Sequence, residues 1–133
     1  MSKDKKQTNA QATGAFGEEL ALKYLISKGY KQEYKNYHSP FGEIDLIVSN
    51  EEYIVFVEVK TRKLTSVARP SQWVDLRKQK KLINTAAIFL SEYGSDLQPR
   101  FDVIEVVYDN SRESPYINHL ENAFWMEGGY VPF

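Results

Sequence analysis

The sequence contains no cysteine, which removes disulfides, thiolate catalysis and Cys-based zinc sites and leaves oxygen or histidine as metal ligands. Its two histidines, His38 and His119, lack ligand spacing and are assigned no metal. Long hydrophobic runs are also missing. The longest are a handful of residues against the roughly 20 of a membrane-spanning helix, so a soluble protein with no membrane partner is expected. The opening stretch MSKDKKQTNAQATG is polar and mixed in charge, without an apolar segment leading to a small-residue cleavage site, so neither a secretory signal nor an anchor is expected. Residues 1–12 are read as a flexible tail and the protein as cytoplasmic. Internal repeats and low-complexity segments are absent.

What is present suits one globular domain. At 133 residues, with 42% hydrophobic and 14% aromatic side chains, the chain can bury a real core but is too short for two ordinary domains. The domain is placed at residues 13–124, followed by an aromatic tail at 125–133. Neither sign of charge dominates the whole, which sums to −1, but the distribution is uneven. Between residues 60 and 81, Lys60, Arg62, Lys63, Arg69, Arg77, Lys78, Lys80 and Lys81 face Asp75 alone. Such a run solvates a surface or meets an anionic partner.

Periodicity predicts a helix from Asn9 to Lys28, closed by Gly29, with Glu18, Ala21, Leu22 and Leu25 on one face. Taken alone, Glu18 has a bland reading, since the macrodipole favours an acid in the first half of a helix. Three β-prone stretches follow at 30–38, 42–48 and 52–62, punctuated by SPFG and SNEE. A second helix is predicted over 75–93, with Asp75 as N-cap and Arg77, Lys78, Lys80 and Lys81 in its first two turns, where the macrodipole disfavours cations. That crowding makes better sense if phosphate arrives. A fourth strand is expected at 100–109, then YINHLENAF as a short strand or turn leading into a helical turn. The fold class is therefore α/β, a mixed sheet flanked by helices.

Charges interrupt the second and third strands. In FGEIDLIVSNEEYIVFVEVKTR, alternation puts Glu58 and Lys60 on one face, and a hairpin loop of two or four residues puts Asp45 on that face as well. An unpaired buried charge costs several kcal/mol or shifts its protonation state, so these residues either lie on a solvated face or do chemistry. Glu18, Asp45, Glu58 and Lys60 could converge as three carboxylates and an ammonium. Carboxylates at that density repel unless a hard cation sits between them, and Mg²⁺ is commonly held by one or two carboxylates with waters and phosphate oxygens. The set could orient a water for in-line attack on a phosphodiester.

These residues resemble a known group. FGEEL, GEID, VFVEVKTR, RKQKKL and RFDVIEV are similar to the bacterial YraN-like family of endonuclease-like proteins, whose core is similar to that of archaeal Holliday-junction resolvases. The resemblance spans about Gly14 to Phe124 and implies a restriction-endonuclease-like fold. It further implies that Asp45 and Glu58 ligate Mg²⁺ or Mn²⁺ with the Val59 carbonyl, that Glu18 holds a water on the metal or the metal itself, and that Lys60 positions the attacking water. DNA, branched or otherwise structured, is the implied substrate. Arg62, Lys63, Arg77, Lys78 and Lys81 are the candidate DNA contacts, and the reading admits a homodimer.

Other residues are read structurally. Asp102 is expected to pair with a nearby arginine, Glu43 to cap the SPFG turn, and Trp73, Trp125 and Phe133 to be core or contact aromatics rather than base-stacking ones. Gln79 is within reach of a phosphate on the basic helix. A binding module that keeps the fold without catalysis is the main rival. A glycosidase acid/base pair of Asp45 and Glu58 ranks far below, because it leaves Lys60 and the basic segment unexplained.

Overall fold

Val55 and Val57 turn to one side of the third strand and Ile54 and Phe56 to the other, and the core is divided accordingly into two clusters. The computed structural model describes residues 9–64, 74–109 and 115–125. The first eight residues, the linker with Arg69 and Trp73, and the tail beyond Trp125, Phe133 included, lie outside the described residues. The elements are α1 (Asn9–Ser27), β1 (Lys31–Ser39), β2 (Gly42–Ser49), β3 (Tyr53–Lys63), α2 (Leu76–Tyr93), β4 (Gln98–Tyr108) and β5 (Tyr116–Phe124). The strands form one sheet in the order β1-β2-β3-β4-β5. All neighbours are antiparallel except β3 and β4, which are parallel and joined through α2, as a parallel pair requires a crossover.

Each helix covers one face. Ala21, Leu22 and Leu25 of α1 pack on Leu46, Val48, Val55, Val57, Ile104 and Val106. Leu82, Ala86 and Phe89 of α2 pack on Ile44, Ile47, Ile54, Phe56, Phe101 and Val103. The helix ends follow their expected signals. Gly29, at φ 99°, closes α1. Asp75 caps α2 by accepting the Lys78 N–H at 2.9 Å, and Gly94 closes it with an N–H bond to the Leu90 carbonyl. No helix among the described residues is long and apolar enough to cross a membrane.

The β2–β3 connection tests the register argument. The Asn50 N–H bonds the Tyr53 carbonyl, and the Asn50 side chain accepts the N–H groups of Glu52 and Tyr53. The resulting register pairs Ser49 with Ile54 and Leu46 with Val57, which is the odd-sum arrangement that a two-residue turn requires.

The last element differs from expectation. YINHLENAF forms no helical turn; all of Tyr116–Phe124 is strand. The outer edge of β4, a strand buried almost throughout, needs a hydrogen-bonding neighbour, and that requirement overrides the weak helical preference of LEN. The segment bends instead at Asn122, whose φ of 54° coincides with a register slip opposite Phe101 and Val103. The N–H of Asn122 donates to the buried Asp102 carboxylate at 2.9 Å. Asp102 does pair with an arginine, Arg100, through two nitrogens at 2.9 and 2.8 Å.

Candidate active site

The β2–β3 ladder stops at Leu46 and Val57, one residue short of Asp45 and Glu58. Where it stops, the side chain of Asp45 replaces backbone pairing: its Oδ2 accepts the Val59 N–H at 2.8 Å. A disturbance in β1 accompanies the break. Asn36 is left-handed, at φ 54°, and the β1–β2 register passes from Lys35–Leu46 to Tyr37–Ile44 without pairing Asn36 and Asp45. Ile44 and Leu46 consequently face opposite cores although two residues apart, so simple alternation fails at Asp45. Asparagine tolerates this conformation better than other non-glycine residues.

Helix α1 brings Glu18 to the same point. The Glu18 carboxyl lies beside Asp45 and Asn36, whose side chains oppose the rise that burial imposes on it. Its approach depends on the preceding residue: a Cβ added to Gly17 would lie 1.8 Å from Thr61 Oγ1 and 2.9 Å from Thr61 Cβ on β3. Rotation of the threonine could relieve the first contact but not the second. Gly17→Ala is therefore expected to push α1 off β3 and to cost about 1–3 kcal/mol, measured by urea denaturation. Unchanged stability would show that the helix has room to spare.

Electrostatics mark Asp45 out. Burial, and then the charge of Glu58, push its carboxyl up to about 8; the Val59 N–H opposes the rise, while Glu18 and Glu43 add to it. Glu18 is also raised, chiefly by burial. Asp45 carries the stronger rise, so of these two neighbouring carboxyls it is the one that keeps its proton at neutral pH. Glu43 pairs with His38 at 3.3 Å and does not cap the turn; that task falls to Ser39, whose hydroxyl accepts the Phe41 N–H. Sequence reasoning missed Asn36 and Gly17. An asparagine inside a β-prone run and a glycine inside a helix were the available signals.

The cations separate into distinct groups. Lys60 is half-buried two residues beyond Glu58 and makes no ion pair with another described residue. Lys78, from the first turn of α2, stands 3.3 Å from Glu58 Oε2, which supplies a local reason for a cation at that helix start. Arg62 is engaged by Glu105 at 2.5 Å, an acid only 4% exposed that sequence reasoning did not single out. Arg77, Lys81 and Lys63 are exposed. Gln79 bonds the Val74 carbonyl, so its amide belongs to the helix start. Lys78 and Lys81 line a cleft of about 400 Å³ between α2 and the β1–β2 turn.

The donors around Asp45 suit a hard divalent cation: they are all oxygen, largely buried, and crowded enough with negative charge to retain a proton. Among the described residues no three carboxylates or histidines already stand as one ion's ligand set, and Glu58 is turned toward Lys78. The chemistry fits, and closure around an ion requires side-chain movement.

Residues 17–106 match the model of a family described as Uncharacterised protein family UPF0102. A UPF0102 protein of Caldanaerobacter subterraneus subsp. tengcongensis is 41% identical over 121 residues, which is 90% of this chain and 99% of the relative. One from Clostridioides difficile is 43% identical over 117 residues, 87% of this chain and 99% of the relative. A third, from Thermodesulfovibrio yellowstonii, is 41% identical over 112 residues, covering 84% and 95% respectively.

Proposed function

The chain belongs to the UPF0102 family, and from the site it carries we propose that it is a divalent-metal-dependent nuclease with a restriction-endonuclease-like core, hydrolysing phosphodiester bonds of DNA, branched DNA included. One observation carries the reading: the β2–β3 ladder opens where Asp45 and Glu58 stand, Glu18 joins from α1, and Asp45 is pushed up to about 8. Carboxylates drawn to a fork in a sheet add nothing to packing, and although Glu58 is paired with Lys78, Asp45 is buried beside other acids, which is costly.

Asp45, Glu58 and the Val59 carbonyl would hold Mg²⁺ or Mn²⁺, with Glu18 as a further ligand or a water holder, and the ion when bound would stabilise charge developing on the phosphoryl oxygens. The rest falls to the chain. Lys60 donates a hydrogen bond to the attacking water and fixes its direction, while Glu18 accepts one. The water oxygen bonds to phosphorus as the ester oxygen on the far side leaves; the water's proton passes by way of Glu18 to solvent, and the departing oxygen takes a proton from solvent. Lys78 transfers from Glu58 to a substrate phosphate, so the α2 cations hold the strand.

The test uses linear, flapped and four-way-junction DNA with Mg²⁺ or Mn²⁺. Lys60→Ala is expected to lower single-turnover cleavage by roughly 10²–10⁴ and to retain divalent-ion binding, whereas Glu58→Gln is expected to weaken both. Cleavage at the parent rate by the Lys60 variant would remove its proposed role. A second reading, a DNA-binding module without catalysis, is favoured by one feature, the Lys78–Glu58 ion pair, which places an ammonium where a cation would otherwise compete. Absence of cleavage on every substrate, with binding intact, would select it.

A further inference from the structure

We infer that the cleft between the β1–β2 turn and α2 binds one unstacked nucleotide of a DNA strand beside the carboxylate site, with its base against Phe41 and its phosphate on Lys78 and Lys81. This deepens the nuclease reading and rests on it for the identity of the strand. The cleft, of about 400 Å³, is lined by Phe41 and Glu43 on the turn side and by Lys78, Lys81 and Leu82 on the helix side. That volume lies toward the lower end of the range of small-ligand sites, about 300–1,000 Å³. Lys78 links it to the carboxylate site, since it lines the cleft and stands 3.3 Å from Glu58 Oε2.

An exposed phenylalanine is by itself unremarkable on a protein surface. Phe41 differs in how it is held. The residue is 50% exposed, yet the turn that carries it is fixed from three directions. Ser39 Oγ accepts the Phe41 N–H at 3.0 Å and shares a hydrogen bond of 2.8 Å with Thr85 Oγ1, a fully buried group on α2. Pro40 precedes the ring. At Gly42, φ is 153° and a Cβ would sit 3.6 Å from Lys81 Cβ, so the turn backbone lies against the helix at the lysine itself. A half-wetted aromatic on a pinned turn, lining one cleft with two lysines, is the arrangement that stacks bases and grips phosphates. Bases within a duplex already stack on their neighbours, so the platform selects unpaired ones, as at flaps, bulges and junctions.

The experiment measures binding of the full chain, in Ca²⁺, to flapped and fully duplex DNA of the same length, with 2-aminopurine in the unpaired segment. The parent is expected to quench that fluorophore and to prefer the flap. Phe41→Ala is expected to lose the quench and to weaken flap binding about 10- to 100-fold, with duplex binding unchanged; Phe41→Trp is expected to restore both. Equal binding of the flap by Phe41→Ala and the parent would overturn the inference, and if the parent still cuts DNA the nuclease reading stands without it. Phe41-dependent flap binding by a parent that cuts nothing would support the inference and overturn the nuclease reading.

Discussion

Replacing Asp45 with asparagine is expected to abolish cleavage, by about 10³-fold or more, and at the same time to make the metal-free protein more stable at pH 8. The second effect follows from the direction of the shift. Asp45 is raised from 3.8 to about 8 in the fold, first by burial and then by Glu58. Below pH 4 the carboxyl is protonated in both the folded and unfolded chains. Between pH 4 and 8 the unfolded chain releases its proton while the native one keeps it, so the stability associated with the neutral carboxyl is lost as pH rises, at up to about 1.4 kcal/mol per pH unit. Above about 8 the native group ionises too and the loss levels off.

Asparagine removes that contribution, so the difference between variant and parent should widen from pH 4 to 8 in urea denaturation with EDTA. Parallel curves would mean that Asp45 titrates normally. Divalent ions sharpen the test, since their binding has to displace the proton. At tenfold over the dissociation constant, Mg²⁺ would add about 1.4 kcal/mol, or roughly 3 to 6 °C, to the parent. That gain should grow with pH up to about 8, and the asparagine variant should show little of it.

Asp102→Asn is expected to do the opposite to stability. Asp102 is 1% exposed and accepts hydrogen bonds from Arg100, from His119 at 2.7 Å and from the Asn122 N–H. Burial pushes its carboxyl up, but these donors outweigh burial and hold it below the usual range. The network reaches α1 as well: His119 also bonds Tyr24, and Arg100 bonds Tyr30 and lies 4.6 Å from the centre of the Tyr53 ring. Neutralising Asp102 leaves a buried guanidinium without its counter-charge, at a cost of about 3–5 kcal/mol. For a domain of this size that is a fall of roughly 10 to 25 °C in melting temperature. A loss below about 1 kcal/mol would show that water reaches the arginine. The pH dependence is also reversed. The stability from Asp102 is present above its unfolded value near 3.8 and lost as pH falls through the depressed folded value.

Local chemistry was legible wherever one residue type or one period decides a conformation. Gly29 closing α1, Asp75 capping α2 and the alternation of β3 could be read directly, and the turn at Asn50 brought the register with it. Each depends on neighbours within a few positions along the chain. Family membership was likewise legible in short ordered motifs, nearly all of which fall in the matched segment 17–106.

Contacts between elements distant in sequence were decided only in three dimensions. Whether YINHLENAF became helix or strand depended on the open edge of β4. Glu105 reads as an ordinary strand acid, yet parallel pairing of β4 with β3 buries it beside Arg62 and so engages a cation expected to face a partner. Lys78 was legible as a charge at an unfavourable helix position, but its ion pair with Glu58 required α2 to pack back on the sheet. Asp45 joins the two levels. Its residue type and spacing were visible in GEID, while its raised proton affinity comes from being enclosed among Glu18, Glu43 and Glu58, because desolvation and Coulomb repulsion depend on distance through space rather than along the chain.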